Sequence, residues 1–293
     1  MPSTRDIRRR IKSVKNTAQI TKAMQMVASS KMRKAQMAAL AGRSYASLMN
    51  TMLAHVVGNA GDFSHPLMEK REVKKRAVIL VSTDKGLCGA LNSNLTREAS
   101  KFDKNTTVFV SAGKKGAQFV ARTKRQLAAE FTYKDAPMFA EARAISKFAQ
   151  EMFIKGEVDA VDILFTNFIS TLNQKPEVMP LLPIQEVKGV QAGLHGHETS
   201  VPLEKSELEY IFEPGPEGVL GSLLPHYMNF QVYQILLEAK ASEHSSRMVA
   251  MKNATDNAKQ LIKDLTLEYN KLRQANITKE LLEITTAQMA LGN

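Results

Sequence analysis

Four places in this chain carry residue types that could do chemistry: a lone thiol, a His-Gly-His-Glu run and two glycine-bearing turns. Cys88 is the only cysteine, which excludes an internal disulfide and a cysteine-based zinc site and fits a reducing compartment. A catalytic thiol needs a base within reach, and no His, Asn or Asp arrangement marks one. His195-Gly196-His197-Glu198 offers two imidazoles and a carboxylate, yet no second ligand cluster of convincing spacing accompanies it. A solvated loop is the better reading. The stretch from Ser82 to Asn92 follows an apolar run, where α/β folds carry phosphate loops. A Walker-type loop ends in Lys-Ser/Thr and a dinucleotide loop needs three spaced glycines. Neither spacing exists here, and Gly113-Lys114-Lys115-Gly116 lacks both the earlier glycine and the following hydroxyl. These read as tight turns, and Asp84 belongs to no recognisable acid/base pair. The residues make no case for a catalytic site, a cofactor or a metal.

The elements that would hold such residues are set out by proline and glycine. No proline occurs between Ser3 and His65, nine of the ten fall between Pro66 and Pro225, and no glycine lies between Gly221 and Gly292. Two uninterrupted segments flank a punctuated middle. Ile7, Ile11, Val14 and Ala18 recur at steps of four, three and four opposite Arg5, Arg9 and Lys12, predicting an amphipathic helix. Met251, Ala254, Ala258, Leu261, Leu265, Glu268, Leu272 and Ala275 alternate steps of three and four, predicting a heptad seam with one charged interruption. A single helix over the 66 positions from His226 to Leu291 would extend about 100 Å. Pairing the two terminal helices as an antiparallel coiled coil is the economical arrangement, and a coiled coil between two copies is the alternative. In the middle, Arg76–Ser82, Thr107–Ser111 and Val161–Phe165 read as buried strands. Helices are expected near Asn92, over 114–122 and over 140–154, giving a small Rossmann-like α/β domain with a largely parallel sheet. Pro176, Pro180 and Pro183 mark an edge strand and loop. The expected division is residues 1–61, 62–209 and 210–293.

At 44% hydrophobic and 24% charged residues, the composition is that of a chain able to bury a core. No apolar run reaches the roughly 18 residues of a spanning helix, and the N-terminus has no secretory pattern. The net charge of +11 is concentrated: residues 1–61 hold eleven Lys/Arg against Asp6, leaving 29 bases and 28 acids elsewhere. A field this localised suits a polyanionic partner, be it nucleic acid, an anionic membrane or an acidic protein surface; a solvated helix face is the plainer reading. No base-reading aromatics cluster beside the basic residues and no zipper follows directly after them, which weighs against nucleic acid.

Five stretches carry a resemblance: Ile20–Gln36 (ITKAMQMVASSKMRKAQ), Ser82–Leu95 (STDKGLCGALNSNL), Phe168–Pro176 (FISTLNQKP), Tyr210–Pro214 (YIFEP) and Ala241–Ala258 (ASEHSSRMVAMKNATDNA). The chain resembles the gamma-subunit family of F-type ATP synthases from Arg5 to about Ile284. Ile277–Ile284 looks like the start of the family's C-terminal signature, which usually continues into Gly-Ala where this chain has Ala287-Gln288.

The resemblance implies a rotor shaft of paired terminal helices inside a ring of three alpha and three beta subunits, with an α/β foot on a membrane-embedded c ring, beside an epsilon subunit. Catalysis would lie on beta, with one copy of this chain per complex. Lys22, Met24, Arg273, Gln274, Thr278 and Glu280 would meet beta, and Phe212 and Glu213 the c ring. Ile7, Ile11, Val14, Leu261, Leu265 and Leu272 would form the seam. Acidic loops on beta would favour the basic helix, and Met24, Met26, Met32, Met37, Met49 and Met52 would add an adaptable surface or fill the seam. The setting implied is the cytoplasmic face of a bacterial plasma membrane.

Overall fold

A computed structural model describes residues 3–59, 65–184 and 215–291. The elements run α1 (Thr4–Asn59), a 3-10 turn (Pro66–Met68), β1 (Arg76–Val81), α2 (Leu91–Ser100), β2 (Thr107–Ala112), α3 (Lys114–Arg122) and β3 (Gln126–Phe131). They continue with α4 (Phe139–Ile154), β4 (Ala160–Phe168), β5 (Gln174–Leu182) and α5 (Pro216–Leu291). Two compact units are formed, one from 1–27 with 248–293 and one from 28–247. The boundaries expected at 61/62 and 209/210 fall outside the described residues, as do His195–Glu198, Phe212 and Glu213.

The larger unit is built on a five-stranded sheet in the order β3-β2-β1-β4-β5. The first four strands are parallel and β5 runs antiparallel against β4. Strands β1, β2 and β4 are apolar almost throughout because both faces are covered. Val78, Leu80, Phe109 and Leu164 pack on one face with Leu95 of α2 and Phe119 of α3. Ile79, Val110, Ile163 and Phe165 pack on the other with Phe153 of α4, Leu236 of α5 and Leu53 of α1. Strand β3 was not anticipated: QLAAEF lacks β-branched residues, lies mostly exposed, and is a strand because its backbone pairs with β2. The edge strand expected around the prolines is β5.

Helix α5 begins ten residues before His226, with Pro225 inside it. Proline there forgoes one backbone bond to residue 221, a cost offset by the burial that follows. Every α5 residue from Phe230 to Ser245 except Tyr233 is buried. Against it, α1 buries Ala28, Met32, Ala35, Ala39, Met49 and Leu53 at steps of three, four or their sums. Gly42 sits on this stripe, where an added Cβ would come within 2.7 Å of Gln234 Oε1. The Gln234 amide donates to the Ala39 carbonyl at 3.0 Å.

In the smaller unit, Ser3 starts α1. Its hydroxyl accepts from the Asp6 amide, and the Asp6 carboxylate accepts from the Ser3 amide and hydroxyl, a capping box. These bonds hold the Asp6 carboxyl below its ordinary range. The 4–27 and 248–291 portions of the two long helices pair antiparallel: Arg8 Nη2 donates to the Tyr269 hydroxyl at 2.6 Å, and the Thr21 and Thr255 hydroxyls share a buried bond of 2.7 Å. On α1, Ile7 is buried and Ile11, Val14 and Ala18 are half-buried. On α5, after the half-buried Met248, Val249 and Ala250, the buried or half-buried positions are Met251, Ala254, Thr255, Ala258, Ile262, Leu265, Tyr269 and Leu272.

That spacing corrects the expected seam at three points. Leu261 is 41% exposed and Glu268 is exposed, their places being taken by Ile262 and Tyr269, and Ala275 is exposed beyond the last covered position, Leu272. Either register satisfies alternation of three and four, so neighbouring positions on the stripe differ by one residue and only the facing helix decides between them. The unexplained charge at position 268 disappears with the correction.

Candidate functional site

The strand-end turns that could have held a phosphate are filled by the chain itself. The Gly113 backbone has φ +109°, and an added Cβ would lie 2.2 Å from the Ser82 carbonyl oxygen. Glycine is required there on both counts. Gly116 lies similarly close to the Ser82 and Ser111 hydroxyls. The first amides of α3 point where a phosphate would bind, but each has a partner. Lys114 N donates to Asp84 Oδ1 at 3.0 Å, Lys115 N to the Thr83 carbonyl at 3.0 Å, and Gly116 N to Ser82 Oγ at 2.7 Å. The Asp84 carboxylate also opposes an incoming anion.

Cys88 is buried, and burial pushes its thiol above the ordinary range. Asn92 Nδ2 donates to its sulfur at 3.3 Å. A protonated, buried thiol is a poor nucleophile. Among the described residues no three His, Cys, Asp or Glu side chains gather as metal ligands.

The residues expected at a partner contact lie on the surface of the smaller unit in two separate groups. Lys22 is exposed and Met24 half-buried, beside Thr21 and therefore level with Thr255 of α5. Arg273, Gln274, Thr278 and Glu280 are all exposed and begin eighteen residues beyond Thr255, about 27 Å along the helix. Thr278 returns its hydroxyl to the Gln274 carbonyl at 2.9 Å. From Arg273 to Met289 every α5 residue is exposed, including Ile277, Leu281, Leu282, Ile284 and Met289 at 44–77%. Aligning Arg8 with Tyr269 leaves this stretch opposite no part of α1. Apolar residues this exposed on a helix end mark a surface that another protein covers.

On α1, Arg5, Arg9, Arg10, Lys12 and Lys15 are exposed. The methionines divide: Met32 and Met49 are buried in the stripe, whereas Met26, Met37 and Met52 are 57–63% exposed. Filling of the stripe thus accounts for Met32 and Met49 alone, and the other three lie on the surface. Thr21, Thr255 and Tyr269, whose hydroxyls set the pairing of the helices, were not anticipated as such. The signal was available, since steps of three and four continue from Ala18 through Thr21.

Among the described residues the candidate site is therefore exposed surface on long paired helices, the mark of a protein that meets its partners along a helical face. A family model described as ATP synthase matches residues 3–291. Over their full lengths, the "ATP synthase gamma chain" of Opitutus terrae is 52% identical and that of Methylacidiphilum infernorum 48% identical to this chain. A cryo-EM structure of the Tetrahymena thermophila mitochondrial ATP synthase central stalk and c ring aligns with a TM-score of 0.60 at 27% identity, covering 80% of this chain and 99% of that one. A chain of the Euglena gracilis mitochondrial ATP synthase shares the fold, with a TM-score of 0.68 at 20% identity over 98% of this chain and 94% of that one. The chain belongs to the ATP synthase gamma-chain family.

Proposed function

We propose that this chain is the central-stalk rotor subunit of a proton- or sodium-translocating F-type ATP synthase. It turns with the c ring and, through an asymmetric shaft, drives the beta subunits through states of different nucleotide affinity, or is driven backwards by ATP hydrolysis. One copy would stand among three alpha and three beta subunits with an epsilon subunit beside it. The observation that carries the reading is the 52% identity to a gamma chain over the whole of both sequences.

The chain would itself be non-catalytic, in keeping with an α3 N-terminus whose first amides are bonded within the chain. Lys22 and Met24 would meet beta at one level and Arg273, Gln274, Thr278 and Glu280 at another, with the apolar end of α5 enclosed by the ring. Phe212 and Glu213 would meet the c ring. The basic α1 face suits acidic loops on beta. No described helix is long and apolar enough to cross a membrane, which suits a peripheral subunit, and the bacterial relatives suit the cytoplasmic face of a plasma membrane.

Affinity purification of the native chain tests the assignment. Alpha, beta and epsilon should co-purify in a three-to-three-to-one ratio with one copy of this chain. Recovery without them, together with salt-sensitive binding to duplex DNA, would replace the rotor reading by a nucleic-acid one.

A further inference from the structure

A rotor subunit that carries torque must keep its long helix from turning within the body that holds it, and apolar packing alone is non-directional. The last two turns of α5 inside the larger unit, Lys240 to Arg247, have a different character. They are buried at six of eight positions and carry polar side chains at seven. Ser242 Oγ donates to the Thr166 carbonyl at 2.9 Å, Ser245 Oγ to the Thr171 carbonyl at 2.8 Å, and Ser246 Oγ to the Cys88 carbonyl at 2.6 Å. Arg247 Nη2 reaches the Gly86 carbonyl at 3.2 Å and Glu243 Oε1 at 2.8 Å. Lys240 Nζ lies 3.0 Å from Glu243, 3.8 Å from Asp135 and 4.5 Å from the centre of the Tyr133 ring. Asp135 is paired in turn with Lys31 of α1, and the Tyr133 hydroxyl donates to the Ser82 carbonyl at 3.2 Å.

The directions of these bonds matter more than their number. At about 100° per residue, with Lys240 at zero, Ser245 points to about 140°, Ser242 to about 200°, Ser246 to about 240° and Arg247 to about 340°. The three serines occupy an arc of about 100°, and Arg247 with Lys240 takes the roughly opposite side. The partners come from the ends of β1, β3 and β4 and the turns that follow them, so separate parts of the sheet grip the helix from different sides. Three of the anchors are serines, which have a single side-chain torsion ahead of the hydroxyl and therefore little slack. Short side chains without a hydroxyl could fill the space, but not the bonds.

We propose that Lys240–Arg247 is a rotational lock, a collar of directed bonds that makes α5 turn with the α/β body. Ser242, Ser245 and Ser246 are its positioning residues. The proposal rests on the rotor reading above. Rotation of α5 relative to the sheet would strain these bonds together, because their acceptors belong to β4 (Thr166) and to the turns after β4 (Thr171) and after β1 (Gly86 and Cys88).

The test uses the complete ATP synthase in sealed vesicles with the triple variant S242A/S245A/S246A, whose smaller side chains introduce no clash. Subunit content is checked first, then ions pumped per ATP hydrolysed and single-molecule stall torque are measured. The expected result is at least a two-fold fall in both, with part recovered when Ser246 alone is restored or supplied as Thr. An assembled triple variant with wild-type ratio and torque would overturn the proposal. Should the triple variant fail to assemble, Ser246→Ala alone, at a half-buried position, is read by the same two measurements; a reduced stall torque supports the lock and an unchanged one overturns it. A wild-type chain that neither assembles nor rotates would instead overturn the rotor reading, so the two failures are separable.

Discussion

The same helix, α5, behaves differently in its two halves. From Phe230 to Ser245 nearly every residue is buried whatever its polarity, and Lys240, Glu243 and His244 are all within that stretch. From Lys252 onwards only one stripe is covered, and beyond Leu272 none is. The difference follows from what surrounds each half. A helix enclosed by a sheet and other helices must bury charges and satisfy them, as Lys240, Glu243 and Arg247 do mutually. A helix with a single partner hides a narrow seam and leaves the rest to solvent or to other proteins. One half is built to be held and the other to touch.

The contrast can be broken at an ion pair. Glu243→Ala would leave Lys240 and Arg247 without their shared carboxylate in a buried setting and should cost about 3–5 kcal/mol. Glu283→Ala, which removes an exposed partner of Lys279 at 3.7 Å, should cost no more than about 0.5 kcal/mol. Urea unfolding of the full-length chain compares the two, and equal effects would erase the distinction between the halves.

Within the outer half, Leu265 is 5% and Leu261 41% exposed. Leu265→Ala should destabilise by about 2–5 kcal/mol where burial is full, and Leu261→Ala by less than about 1 kcal/mol. The reverse order would reinstate the seam through Leu261 and Glu268.

Acid should act on the inner half. Burial pushes His244 down to about 4, with Lys240 and Arg247 also lowering it and Glu243 and Asp135 raising it. Between pH 6.5 and about 4 the unfolded chain therefore takes up a proton that the folded chain refuses. Stability due to this group is complete above pH 6.5 and falls as the pH drops through that window. His244→Asn should flatten this part of the stability–pH curve, measured by chemical unfolding at a series of pH values. An unchanged slope would remove His244 as its cause. Asp135, held low chiefly by its bond from Lys31, loses its contribution only at more acidic pH.

Thr21→Val should cost about 1 kcal/mol through its lost bond to Thr255, and the double variant with Thr255→Val should recover part of that loss. Additive losses in a double-mutant cycle would show that the two hydroxyls do not meet.

Much of this architecture was legible in the residue pattern. The buried strands RAVILV, TVFVS and VDILF announce themselves because both faces of a parallel sheet are covered, and α3 spans the expected 114–122. The proline-free and glycine-free ends foretold the paired helices. Strand β3 was illegible because an exposed edge strand is specified by its neighbour's backbone rather than by its own side chains. The choice between Leu261 and Ile262 was illegible for a related reason, since a heptad stripe states its period more firmly than its phase. The proposed contact residues rest on resemblance alone: Thr278 and Glu280 are exposed polar residues with no geometry that distinguishes them from their neighbours.

The most direct test of the rotor account is to fix the alpha–beta ring to a surface, attach a bead to this chain in the assembled complex and supply ATP. The account predicts unidirectional rotation of the chain in steps of about one third of a turn, matching three equivalent neighbours under the closed-ring symmetry of the partner assembly. Steady ATP hydrolysis by an intact complex in which this chain stays still relative to alpha and beta would contradict it.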